Sequence, residues 1–137
     1  MAKKAFTLIE LIVVLIIIGI LATLAFPQLS KTKEHALGKE AIANLKLITA
    51  AEKIYRMEAS AYYPIPAGSE SNITNINNYL KLSATEANWD YSITSTGAPP
   101  STFTATGDRT TGSYPDCIYR IDNTTDEPTP VVPANCP

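Results

Sequence analysis

Residues 6–26 form an apolar run that holds a single charge, Glu10, and this run constrains everything else the chain can be. As a helix rising about 1.5 Å per residue, it spans about 30 Å, the thickness of a hydrocarbon core. Lys3 and Lys4 stand ahead of it and would keep the N-terminus on the cytoplasmic side, with the body from Ser30 onward outside the membrane. A carboxylate near the middle of a bilayer costs about 2.5 kcal/mol or more, so Glu10 calls for a partner and a purpose. Two plain readings exist, a simple anchor and a secretory signal peptide cut after Ala25. Glu10 is misplaced in the apolar region of a signal, and a helical pattern continues past Pro27; both count against the signal peptide.

The run opens on Phe6-Thr7-Leu8-Ile9-Glu10 behind the small residue Ala5, with Gly19 and Pro27 downstream. Taken together, these features resemble the type IV pilin and type II secretion pseudopilin family. The resemblance implies a leader of residues 1–5, cut by a prepilin peptidase between Ala5 and Phe6, and an N-methylated Phe6. Ala5 stands where the family usually carries Gly, and a small residue is kept. Residues 6–29 would be the transmembrane and assembly helix. Residues 30–137 would be the head: the amphipathic half of the helix, a loop and a β-sheet. The implied fold is α+β and ladle-like, a long N-terminal helix packed on a small antiparallel sheet.

In a bundle of such helices Glu10 can meet the terminal amine of a neighbouring Phe6. Opposite charges attract strongly in low dielectric, and a subunit docked at the wrong height would bury two unpaired charges. In the unassembled subunit Glu10 can instead snorkel to the interface. Gly19 and Pro27 are the weak points of the helix, since Gly is a poor helix former and Pro lacks the amide hydrogen.

The resemblance implies a structural subunit, the major pilin of a type IV pilus-like extracellular filament. The alternative is the major pseudopilin of a type II secretion system, and a third reading is a Sec-secreted or anchored binding domain with no assembly role. The implied partners are further copies in a helical filament, the inner membrane before assembly, the prepilin peptidase and the assembly machinery. The precursor would sit in the inner membrane and the mature subunit in the pilus or a periplasmic pseudopilus. No cofactor is implied.

Charge is unevenly placed. Residues 31–58 carry six basic and four acidic side chains, and residues 59–137 carry three basic and eight acidic. A basic stem and an acidic head could complement one another between stacked subunits, or simply keep the surface soluble. No basic patch is dense enough to argue for nucleic acid.

Cys117 and Cys136 lie in a segment expected outside the membrane, where disulfides persist, and family pilins commonly close a C-terminal loop this way. Asp122, Asn123, Asp126 and Glu127 within that loop could offer oxygens to calcium, although their spacing matches no known calcium loop. Asn72-Ile73-Thr74 and Asn123-Thr124-Thr125 match the glycosylation sequon. No nucleophile–base pairing, phosphate-binding glycine loop or zinc-type cluster is evident, and the only histidine, His35, has no local partner. An enzyme is not expected.

Along the head, Leu37, Ala41, Leu45, Ile48, Glu52 and Tyr55 recur at helical spacing and predict a stripe facing a core, with Glu52 at its edge. Lys33, Lys39, Glu40, Lys46 and Lys53 are expected on the opposite face. Residues 61–68, with two prolines and a glycine, end the helix. Residues 69–83 read as a loop with a short helix. Three strands follow, at residues 89–94, 101–106 and 117–122, with Trp89, Tyr91 and Ile93 sharing one face and Phe103 and Ala105 facing as a pair.

Overall fold

The computed structural model describes residues 6–137, apart from the side chains of residues 24–27. Lys3, Lys4, Ala5 and the side chain of Pro27 therefore lie outside the described residues. The chain divides into two compact units, Met1–Lys33 and Glu34–Pro137. One helix, α1 (Leu8–Ala59), belongs to both.

In the second unit α1 offers Ala41, Leu45 and Ile48 to the core, all wholly buried. Their spacing of four and three places them on one side of a 3.6-residue helix, as the sequence predicts. They meet a five-stranded antiparallel sheet in the order β1-β2-β3-β4-β5, built from β1 (Ser69–Glu70), β2 (Trp89–Gly97), β3 (Pro100–Arg109), β4 (Ile118–Asp122) and β5 (Thr129–Pro130). A helix α2 (Ile73–Leu80) joins β1 to β2. The result is the α+β architecture expected: a long helix packed on a small antiparallel sheet.

Alternation sets the sheet's faces. Trp89, Tyr91 and Ile93 of β2, Phe103 and Ala105 of β3, and Tyr119 and Ile121 of β4 are buried against α1. The other face is mostly hydroxyl-bearing, with Ser92 and Thr106 in contact at 2.8 Å and Thr94 donating to Ser69 at 3.1 Å. Tyr91 lies opposite Gly107 in the register. A Cβ on Gly107 would meet the Tyr91 ring at 3.1 Å, so the missing side chain is what lets the ring lie across β3. The β2–β3 turn uses Gly97 at φ +105, a conformation that costs glycine little. Trp89 donates its indole N–H to the Leu37 carbonyl of α1 at 3.0 Å, and Asn44 donates to the Tyr91 hydroxyl at 2.9 Å. Sheet and helix are thus pinned by polar contacts within an apolar interface.

Three expectations change. The sheet has five strands rather than three, because β1 and β5 are two residues each and carry no alternation to read. Pro130 is confined to the outermost strand, where its missing donor costs no ladder bond. β2 and β3 also run longer than expected, to Gly97 and Arg109. Finally, Glu52 is not at the edge of the stripe but wholly buried within it. After Ser60, in a left-handed conformation at φ +59, the chain turns back over α1 and donates the Tyr63 N–H to Glu52 Oε2 at 3.0 Å.

The short helix expected in the connection is α2. Asn72 caps it, its side-chain oxygen accepting the Thr74 and Asn75 amides at 2.9 and 3.2 Å. The Asn77 side chain donates to and accepts from the Ala84 backbone and closes the following turn.

Cys117 and Cys136 are bonded, with Cα atoms 4.8 Å apart, and tie the C-terminal tail to the start of β4. Closing a loop of this length is worth about 3 kcal/mol in the chain-entropy model. Cys136→Ser is expected to lower the unfolding free energy of the head by about 2–5 kcal/mol, read as a shifted midpoint in urea denaturation.

Candidate assembly site

The first unit begins with its own cap. α1 starts at Leu8, which places Thr7 at the N-cap and Glu10 at the third helical position. The Glu10 N–H donates to Thr7 Oγ1 at 3.4 Å, and the Thr7 hydroxyl donates to Glu10 Oε2 at 3.4 Å. This is the Thr half of a capping box, with the Glu10 carboxylate held on the Thr7 hydroxyl at the positive end of the helix dipole. The Phe6-Thr7-Leu8-Ile9-Glu10 block therefore starts the helix as well as carrying the isolated charge.

Between Leu8 and Leu21 apolar side chains cover this helix on every side. From Leu8 to Leu21 each large aliphatic residue is exposed, between 42% for Ile12 and 75% for Leu8, and Phe6 is 70% exposed. Gly19 has open space where a Cβ would stand. Among the described residues no single helix is long and apolar enough to cross a membrane. Leu8–Thr23 and Gln28–Ala59 meet the length and composition together, as a broken span.

In the second unit α1 carries a second apolar stripe. Ala43, Leu47, Ala50, Ile54 and Met57 are all exposed. Their spacing of four, three, four and three keeps them on the side of the helix away from Ala41, Leu45 and Ile48. The expected polar face is therefore divided, with lysines flanking an apolar centre.

The flanking lysines meet the acidic loop of the same chain. Lys46 Nζ lies 2.6 Å from Glu127 Oε1, and Lys53 Nζ lies 3.5 Å from Asp126 Oδ1. Both pairs are exposed, and each contributes about 1 kcal/mol at most. The complementarity of basic stem and acidic loop is thus met within one subunit. Asp122 has a separate role: its Oδ1 accepts the Thr124 hydroxyl and the Thr124 and Thr125 amides at 2.6–3.1 Å. Those hydrogen bonds, the Thr124 hydroxyl first, hold its carboxyl below the ordinary value. Asn123 is half-buried beside it. Among the described residues no three His, Cys, Asp or Glu side chains form a group that could hold a metal ion. His35 is exposed on α1.

Sequence reasoning missed a buried ion pair. Arg109 Nη2 lies 3.2 Å from Glu34 Oε2, with both side chains nearly inaccessible. Arg109 also donates to the Asn88 carbonyl at 2.9 Å and stands over the Trp89 ring at 5.4 Å. Glu34 Oε1 accepts the Ser113 amide at 3.4 Å, so the pair fastens the β3–β4 loop to α1.

The N-terminal segment matches the family model described as the prokaryotic N-terminal methylation motif, over residues 1–26. The chain is 32% identical over 73 residues to type II secretion system core protein G of Klebsiella michiganensis, covering 53% of this chain and 51% of the relative. It is 38% identical over 69 residues to core protein G of Pseudomonas aeruginosa, covering 50% and 49%. It is 42% identical over 60 residues to the type IV major pilin protein PilA of Myxococcus xanthus, covering 44% and 27%. Over about half of its length the chain is thus similar to type II secretion pseudopilins and a type IV pilin. It spans about half the length, or less, of these curated relatives. No solved structure matches it.

Removing one member of a buried ion pair strands the other. Glu34→Ala is expected to cost about 3–5 kcal/mol of stability by chemical denaturation, and the double variant Glu34→Leu/Arg109→Met is expected to recover most of that loss.

Proposed function

We propose that this chain is a structural subunit, the major pilin of a type IV pilus-like extracellular filament. In this reading a prepilin peptidase removes residues 1–5 between Ala5 and Phe6, and residues 6–29 anchor the precursor in the inner membrane. The same helix then packs against those of further copies, handed on by the pilus or secretion assembly machinery. Phe6, Glu10, Gly19 and Pro27 are the assembly residues, and residues 30–137 form the head. The role is structural rather than catalytic.

The observation that carries this reading is the exposure of the helix between Leu8 and Leu21, whose aliphatic side chains face outward all round. Such a surface needs lipid or other apolar helices around it. The stripe from Ala43 to Met57 supports the same conclusion, because a heptad spacing suits a neighbouring helix. A second reading, the major pseudopilin of a type II secretion system, is favoured by the similarity to core protein G of Klebsiella michiganensis and of Pseudomonas aeruginosa. Filaments sheared from the cell surface support the pilus; filaments confined to the periplasm support the pseudopilus. An N-terminus at methylated Phe6 supports either one over an anchored binding domain.

Glu10→Leu tests the assembly role. The variant is expected to insert and to be processed, while the yield of filaments falls about tenfold or more. An unpaired terminal amine buried between helices costs well above the 1.4 kcal/mol that a tenfold change represents. Filament yield equal to the parent would remove this role from Glu10.

A further inference from the structure

Glu52 is wholly buried, and the head gives it no cation. Its Oε2 accepts the Tyr63 N–H at 3.0 Å, and its Oε1 is buried without a hydrogen-bond partner. The charged and titratable groups on the surrounding elements are engaged elsewhere. On α1, Lys53 pairs with Asp126, and Arg56 donates to the Tyr62 hydroxyl at 3.0 Å and lies over its ring. Tyr55 packs on Tyr63 with ring centres 5.8 Å apart, and Tyr79 of α2 stacks on Tyr63 at 4.9 Å. Glu70 of β1 accepts the Tyr63 hydroxyl at 3.3 Å.

What covers Glu52 is the segment 60–64, which is neither helix nor strand. A few contacts seat it. The Tyr62 N–H donates to the Pro100 carbonyl at 3.0 Å, Ser95 Oγ donates to the Pro64 carbonyl at 2.7 Å, and the Tyr63 N–H donates to Glu52 itself. This segment is also the direct connection from α1 to the sheet.

We propose that Glu52 is a proton-controlled latch on residues 60–64: protonated, it stays beneath the segment and the segment is seated; ionised, it turns to water and lifts the segment off α1. A buried carboxylate with one amide donor and no cation is strongly disfavoured, so its charge must be relieved. Local opening breaks those bonds and uncovers Ala61, Tyr62 and Tyr63, whereas unfolding the sheet breaks the whole ladder as well; the local route is the cheaper one.

The direction of the pH effect follows from the sign of the shift. Burial raises the Glu52 carboxyl from 4.5 to about 7, and the Tyr63 amide offsets only part of that rise. The folded state thus holds this proton more tightly than the unfolded chain does. The stabilisation it brings is complete below the ordinary carboxylate value and is lost as pH rises through about 7.

The test uses the full chain in detergent micelles, between about pH 5 and pH 9. Amide exchange at Tyr62 and Tyr63 is measured relative to the unstructured rate at each pH. Protection is expected to fall by about tenfold per pH unit from about pH 5 up to the Glu52 midpoint, as one-proton linkage requires, and to level off above it, while the amides of β2 and β3 hold theirs. In Glu52→Gln, which keeps the shape and cannot ionise, protection at Tyr62 and Tyr63 is expected to be flat. Flat protection in the parent, or an equal fall in Glu52→Gln, would overturn the latch. Carbon-13 titration of the Glu52 carboxyl in the parent tests the proposal independently of how well the Gln variant folds. A midpoint near 7 supports it, and a midpoint at or below 4.5 overturns it.

Discussion

The apolar surface of α1 exceeds what the head can cover. Within the second unit the sheet takes up the side bearing Ala41, Leu45 and Ile48. In the first unit about a dozen large aliphatic side chains stand exposed between Leu8 and Leu21. Fully burying one such side chain is worth about 1.5–3 kcal/mol. Their sum exceeds the roughly 5–15 kcal/mol of net stability typical of a whole domain. Where this protein resides is therefore decided by what surrounds its helix and not by the head.

Against that background the polar groups on α1 are few and specific. Thr7 and Glu10 satisfy the start of the helix, where backbone donors lack partners. Glu10 thus has a local role in the isolated chain as well as its proposed role between chains. The local bonds are long and exposed, so they leave the carboxyl group able to exchange partners at little cost. Glu34 and Glu52 differ, since each is buried and each holds an irregular segment. Glu34 does so with Arg109 as counter-charge, and Glu52 does so without one. The two carboxylates show how one helix can use the same residue type as a fixed fastening and as one open to a proton.

Much of this was legible in the residues. The Phe6-Thr7-Leu8-Ile9-Glu10 block indicated the family, and periods of 3.6 and two located α1, β2, β3 and β4 together with their buried faces. The two-residue strands were not legible, because a strand that short exists only through its neighbour's ladder. Glu52 lay in plain view, four residues after Ile48 and three before Tyr55. The pattern placed it on the core side, and only the preference of charges for water argued it outward. Arg109 follows Phe103, Ala105 and Gly107 at even spacing, so alternation alone would have turned it inward. Its partner Glu34 is 75 residues away, and no local signal joins them. The apolar outer stripe of α1 was obscured by the lysines that flank it.

The placement of these contacts explains why one side of the helix is left plain. The Leu37 carbonyl, Asn44 and Glu52 hold Trp89, Tyr91 and Tyr63, while Glu34 holds the β3–β4 loop. Lys46 and Lys53 hold the acidic loop. Each fastening meets the head, so the polar side chains of α1 that bind its own chain lie inward or along the flanks. The side chains of Ala43, Leu47, Ala50, Ile54 and Met57, at heptad spacing, are small or aliphatic and make no hydrogen bond to the head. A face free of buried polar groups can slide and pack against another helix without breaking a hydrogen bond. A face carrying the fastenings could not. Confining them to one side fixes the head to its helix and leaves the other side available for the proposed assembly.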